Sequence, residues 1–281
     1  MSVNCLNHAY QRRIADRIER LECIEPWDER PSGVLLEDVQ TALFACACHH
    51  ARNRGRLTQS LPDQASILHA TGLARGRFLT NSGAVLFSDA NDPLVLCRLF
   101  SGARHDGLID SASHFSPYVC ALEGALFFIM GHCCNAFGVF LDSEPSFAAR
   151  LRSAAGSLLS YAFLHRSYEA RSAVRVSMGP GCLLVSFPRE QVSTRFGGAS
   201  FRSSEEFCAD ELSNVAGHTE LFSCENALLA QNAYRFGFLD GGLLDCPSLV
   251  RKCCEWGFSL DVQEGARETG LFLARRATRV S

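Results

Sequence analysis

Apolar positions along the chain fall into stretches of helical and of extended spacing. Ile14, Ile18, Leu21 and Ile24 recur every three or four residues and predict a lead-in helix over 10–25, closed by Pro26 and the Pro31-Ser-Gly33 break. Leu36, Val39, Leu43, Cys46 and His50 form the next helical stripe, opened by Glu37 and Asp38, whose charge suits a helix N-terminus. A helix over 62–71 starts at Pro62-Asp63 and stops at Gly72. Phe78–Gly83 then turns into Ala84-Val-Leu-Phe87, and Leu94–Phe100 follows a proline. Both of these apolar runs read as buried strands.

Segment 101–117, rich in Gly, Ser, Asp and His, reads as a loop. The run Tyr118–Leu141 is long enough to cross a bilayer, but it carries Glu123, His132 and Asn135 and is interrupted by Gly124, Gly131 and Gly138. It therefore predicts a buried helix over 118–133 and a turn, with no transmembrane segment. Past Pro145 the pattern gives a helix over 147–164 and a strand over 173–178. A Gly179-Pro-Gly181 turn and a strand over 182–187 make the unit a helix followed by a β-hairpin. Residues 189–220 are polar and read as a lid; helices over 225–236 and 246–256 and a strand over 270–275 complete the chain.

Composition narrows the class. With 47% hydrophobic and 20% charged residues, 281 residues can bury a large core, and the length suits two domains. The net charge of −3 shows no excess of positive charge for clamping phosphates, so nucleic acid is not a favoured partner. Arginines cluster only briefly, at Arg12–Arg13, Arg52–Arg56 and Arg275–Arg276. Fourteen cysteines in a long apolar chain whose start lacks a charged-then-apolar leader point to free thiols and a reducing, cytoplasmic location.

Several groups with chemical potential read as structural. Cys46, Cys48, His49 and His50 with His132–Cys134 offer soft ligands, yet Cys46 and His50 share a helical stripe while Cys48 and His49 point elsewhere; no metal is expected. Ser82 lacks the glycine two positions earlier that a nucleophile elbow needs. Glu220, Glu225, Asp240 and Asp245 read as a solvated face, and His165-Arg166 as a helix end suited to cations. No catalytic residue is assigned.

Four landmarks stand in one order: Leu79-Thr-Asn-Ser-Gly-Ala-Val-Leu-Phe87, Ala162-Phe-Leu-His-Arg-Ser-Tyr168, Asn226-Ala-Leu-Leu-Ala230 with Gly237-Phe-Leu-Asp240, and Cys253 with Gly257-Phe258. This series, from about Tyr10 to the C-terminus, resembles the bacterial ATP-binding proteins known as RecG-helicase-like C-terminal regions. Members of that family follow a Schlafen/AlbA-type module and are often called transcriptional regulators. The resemblance implies an α+β fold whose residues 146–281 form a histidine-kinase/gyrase-type (Bergerat) domain, a mixed sheet with helices on one face. A smaller N-terminal α/β domain over 35–145 and a lead-in helix and linker over 1–34 precede it. Of the AlbA-type module only a trailing linker over 10–28 is expected.

In that family a glutamate and an asparagine one helical turn apart orient the attacking water and hold the magnesium. Counting back from His165-Arg166 puts Ser157 and Tyr161 at those positions. Serine is a poor general base, and a phenol ring a poor ligand for a hard cation. The family's Asn-Pro-Gly falls at Phe187-Pro188-Arg189, where Pro188 alone persists, and the phosphate-lid Gly-x-Gly falls at Leu243-Leu-Asp245. The resemblance therefore implies a pseudo-ATPase without cofactor, working through a protein partner: a second copy of the chain or a separate AlbA-type module. Two alternatives stand beside it. One is a divergent binder of ATP with magnesium that uses Gly241 and Gly242; the other is a nucleic-acid binder using Arg52, Arg54 and Arg56.

Overall fold

Period-two alternation of apolar and polar residues builds the larger of two sheets in the computed structural model. The structure describes residues 25–57, 61, 63–89, 92–102, 107–139, 144–189, 226–239, 246–265 and 267–275. In chain order the elements are β1 (Pro31–Leu35), α1 (Thr41–Asn53), α2 (Gln64–Ala70), β2 (Ala74–Arg75), β3 (Phe78–Thr80), α3 (Asn81–Phe87), β4 (Pro93–Phe100) and β5 (Leu108–Phe115). They continue as α4 (Tyr118–Gly131), α5 (Cys133–Phe137), α6 (Pro145–His165), β6 (Val174–Gly179), β7 (Cys182–Pro188), α7 (Ala227–Arg235), α8 (Cys246–Glu255), β8 (Phe258–Glu264) and β9 (Glu268–Arg275). Short 3-10 turns at Trp27–Glu29 and Leu36–Asp38 flank β1.

The fold is α+β. Its six-stranded sheet has the order β5-β4-β6-β7-β9-β8, with a parallel β4–β6 pair and antiparallel neighbours elsewhere. Leu99, Met178, Leu183, Leu273 and Leu260 lie side by side in register and are buried, as are Cys97, Val176, Val185 and Leu271. The alternate positions Arg98, Arg175 and Asp261 are exposed, so one face of the sheet carries the core. Helices α4, α6 and α8 cover that face, over β4–β5, β6–β7 and β8 respectively. A three-stranded antiparallel sheet, β1-β3-β2, sits with α3.

Three expectations are corrected. Ala84–Phe87 is helical because the Thr80 side chain accepts from the Gly83 N–H and caps α3, and a short apolar run buried on all sides carries no period of its own. Segment 101–117 contains β5, an edge strand whose solvent-facing residues need no apolar alternation. Residues 31–34 belong to β1, paired with β3, instead of to a linker.

The division expected at 145 does not follow the sheet, since β4 pairs with β6 across it, and Pro145 instead opens α6 as an N-terminal helical proline. An aromatic chain also crosses that boundary: Phe44 touches Phe87, Phe87 touches Phe238, Phe238 touches Tyr118, and Tyr118 touches Phe163, with ring centroids 4.9–6.3 Å apart. The expected lead-in helix and the lid over 189–220 lie outside the described residues, apart from Glu25 and Arg189. Among the described residues no helix is long and apolar enough to cross a membrane.

Candidate functional site

Helix α6 runs through the middle of the helical layer, and its apolar stripe of Leu151, Ala155, Leu158, Ala162 and Phe163 is fully buried. Ser157 and Tyr161 lie one turn apart on it. Ser157 is buried. Tyr161 is half-buried, with its ring stacked on His165 at 4.1 Å between centroids and edge-on to Phe187 of β7 at 6.2 Å. Pro188 ends β7, and its carbonyl accepts from the Ser167 N–H at 2.8 Å, tying the exit of α6 to the sheet. The structure thus brings Tyr161, Phe187 and His165 together at the junction of α6 and β7, with Pro188 next to Phe187. Gly241, Gly242 and the Leu243–Asp245 segment lie outside the described residues, as do Glu220, Glu225, Asp240 and Asp245.

Helix α6 ends at His165, as its cationic end suggests, but Arg166 is not a surface cation. It is 4% exposed. Its Nη1 donates to the Leu94 carbonyl at 3.3 Å, and its guanidinium lies 4.2 Å from the centre of the Tyr168 ring. Burial lowers the Arg166 pKa and pushes the Tyr168 hydroxyl up to about 12. Tyr168 also stacks on Trp27 at 4.3 Å. The Arg166 Nε and the Tyr168 hydroxyl are buried without a hydrogen-bond partner.

Two polar residues in this seam have no motif to announce them. Asp28 is 1% exposed, and one of its carboxylate oxygens accepts from the N–H groups of Leu228 and Leu229 at 2.8 and 3.1 Å, in the first turn of α7. Asn226, at the start of α7, donates from Nδ2 to the carbonyls of Leu164 and Arg166 at 2.8 and 3.0 Å, occupying orphan acceptors at the end of α6. Nothing local in the sequence signals either role, because each partner is far away in the chain.

The remaining candidate groups are dispersed. His132 pairs with Asp110 at 2.8 Å, Cys133 donates to the Val139 carbonyl, and Cys48 is buried within α1. Among the described residues no three His, Cys, Asp or Glu side chains are placed to hold a metal ion. Arg56 donates to the Tyr234 carbonyl at 2.7 Å and lies 4.0 Å over its ring, so it joins α1 to α7, while Arg52 and Arg54 are exposed. Ser82 is buried at the start of α3.

No family model matches this chain, and no curated protein does. Among solved structures, the crystal structure of the DIP2311 protein from Corynebacterium diphtheriae is similar, with a TM-score of 0.56 at 15% identity. The match covers 89% of this chain and 40% of that one, so the chain spans about two fifths of the length of the protein it matches. At that identity the likeness concerns the fold.

Proposed function

We propose that this chain is a non-catalytic protein of the Bergerat ATPase type, related to RecG-helicase-like C-terminal regions. It acts through protein contacts in a reducing, cytoplasmic setting and serves the regulation of transcription or DNA transactions. One observation carries the reading. The two positions where the resemblance calls for asparagine hold Tyr161 and Phe187, and their rings meet at 6.2 Å. One aromatic replacement in a phosphate site would leave a misfit; two that pack on each other make a small piece of core worth about 0.5–1.5 kcal/mol beyond the area they bury.

These residues do not fit magnesium-bound ATP. Magnesium needs hard oxygen ligands such as a carboxylate or an amide oxygen, and a triphosphate needs hydrogen-bond donors or cations. The α6–β7 junction instead presents two aromatic faces, a stacked imidazole and, one turn back, a serine hydroxyl too weakly basic to orient a water. The buried Cys48, Cys97, Cys133, Cys182 and Cys253 are free thiols, which supports a reducing compartment. The link to DNA rests on the resemblance alone.

Thermal unfolding with and without Mg-ATP tests the reading. Binding at 100 times the dissociation constant would add about 2.7 kcal/mol of stability. The expected result is an unchanged midpoint, whereas a saturable upward shift would favour a divergent ATP binder built on Gly241 and Gly242.

A further inference from the structure

We propose that two copies of this chain join edge to edge through β5, antiparallel and centred on Ala112, to make one continuous sheet across a two-fold axis. The inference supplies a partner for the protein-contact part of the reading above but does not depend on its nucleotide part.

Among the described residues the large sheet ends in β5 on one side and β8 on the other. An edge strand presents unpaired backbone N–H and C=O groups to any strand that can lie beside it, and charge is the usual deterrent. β8 carries two exposed carboxylates, Asp261 and Glu264, the second paired with Arg189. β5 carries a single carboxylate, Asp110, and exposes Leu108 by 56%, Ile109 by 57% and Phe115 by 44%. Of the two edges, β5 is the more apolar and carries fewer carboxylates.

The register follows from symmetry. A two-fold axis perpendicular to a continuous antiparallel sheet pairs only residues that face the same side, so the axis passes midway between one residue and its own copy. Centred on Ala112, Ser111 lies opposite Ser113, Asp110 opposite His114, and Ile109 opposite Phe115 of the second copy. The strand therefore reads alike in both directions: apolar, ionisable, serine, alanine, serine, ionisable, apolar. Its pairing with β4 is regular from Asp110 to His114 and shifts on either side, so the regular stretch is itself centred on Ala112. The Asp110–His114 opposition sets a half-exposed carboxylate, already paired with His132 of its own chain at 2.8 Å, beside an imidazole whose Nε2 is buried without a hydrogen-bond partner.

The helical layer fits the same junction. Helix α4 lies over β4 and β5, and Gly124 rests against the His114 ring, where a Cβ would sit 2.4 Å from Nδ1. The stripe Cys120, Gly124, Phe127 and Gly131 thus borders the β5 edge, and Phe127 is 81% exposed. With strands about 4.8 Å apart, a helix astride β4 and β5 lies roughly 5 Å from the axis. Two copies of α4 would then run about 10 Å apart, the spacing at which helices pack, with each Phe127 turned toward the other helix and glycines beside it.

Sedimentation velocity of the full chain across a wide concentration range is expected to give the mass of two chains. In the double variant Ser111→Glu with Ser113→Glu, like charges oppose each other twice across the axis. Within one chain Arg98, in register with Ser111 on β4, accommodates the new charge. The dimer dissociation constant should rise about tenfold or more with circular dichroism unchanged; Phe127→Glu should weaken the dimer from the helix side. Mixing Ser111→Cys with Ser113→Cys chains under oxidation should give a 111–113 disulfide, found by peptide mass, that neither variant gives alone. A chain monomeric at every concentration, or a dimer indifferent to both charge variants, would overturn the inference. Neither outcome bears on whether ATP binds.

Discussion

Replacement of Asp28 by alanine probes the seam that ties the start of the described chain to helix α7. The residue at the start of that helix, Asn226, caps nothing there, because its side chain reaches back to the carbonyls of Leu164 and Arg166. Asp28 supplies the cap instead, by accepting from the N–H groups of Leu228 and Leu229. Losing a side-chain cap costs about 0.5–2 kcal/mol. The Leu229 N–H is buried, and leaving it without an acceptor adds about 1–3 kcal/mol. Allowing for overlap between these two effects, Asp28→Ala should destabilise the protein by about 2–4 kcal/mol. Asp28→Asn keeps an acceptor oxygen. Burial raises the Asp28 pKa above its ordinary value of 3.8 despite the three backbone N–H groups, of Leu229, Leu228 and Asp28, that lower it, so the site does not favour the charge, and the asparagine variant should stay within about 1 kcal/mol of wild type. A carboxyl whose folded pKa lies above the unfolded one holds its proton more tightly when folded, so its stabilising contribution is lost as pH rises through the folded pKa. On acidification through that range wild type should therefore gain stability relative to Asp28→Asn. Urea unfolding followed by circular dichroism at neutral and acidic pH measures all three effects. An alanine variant within about 0.5 kcal/mol of wild type, or an asparagine variant as unstable as alanine, would refute the reasoning.

Two further outcomes follow from burial. A Cβ at position 83 would lie 2.3 Å from the Leu73 carbonyl oxygen, a backbone atom that cannot swing aside, so Gly83→Ala should lose about 1–3 kcal/mol in chemical denaturation, and unchanged stability would contradict the packing of α3. Burial pushes the thiols of Cys97 and Cys253 up to about 12 and that of Cys48 up to about 11. Native-state alkylation at mildly alkaline pH, read by mass spectrometry, should therefore label the exposed Cys46 and Cys120 well before these three.

Much of the fold is legible in the chain wherever an element has its own period or punctuation. Helix α6 announces itself by a long stripe after Pro145, and the β6–β7 hairpin by Gly179-Pro-Gly181, in which Gly181 adopts a φ of +78° that favours glycine. The alternation of Phe258, Leu260 and Val262 marks β8, a strand absent from the elements expected over 246–275. Other elements are hidden for physical reasons. The strand β5 is polar because one side of its backbone ladder faces solvent, and α3 is too short and too buried to show a helical period. The positions of Ser157, Tyr161 and Pro188 come from counting along one helix and one hairpin, and the structure sets Tyr161 against Phe187, next to Pro188. The cap from Asp28 could not be counted, since it joins residues 200 positions apart. The symmetry of β5 about Ala112 is visible in the letters but has meaning only once the strand is known to be an edge.

The proposed loss of nucleotide binding rests on the Tyr161 ring, stacked on His165 and edge-on to Phe187. A crystal structure of the full chain soaked with Mg-ATP tests this most directly. The prediction is a Tyr161 ring still stacked on His165 and edge-on to Phe187 at about the present 6.2 Å, with no phosphate between α6 and β7. A triphosphate seated at that junction with the ring swung aside would contradict it.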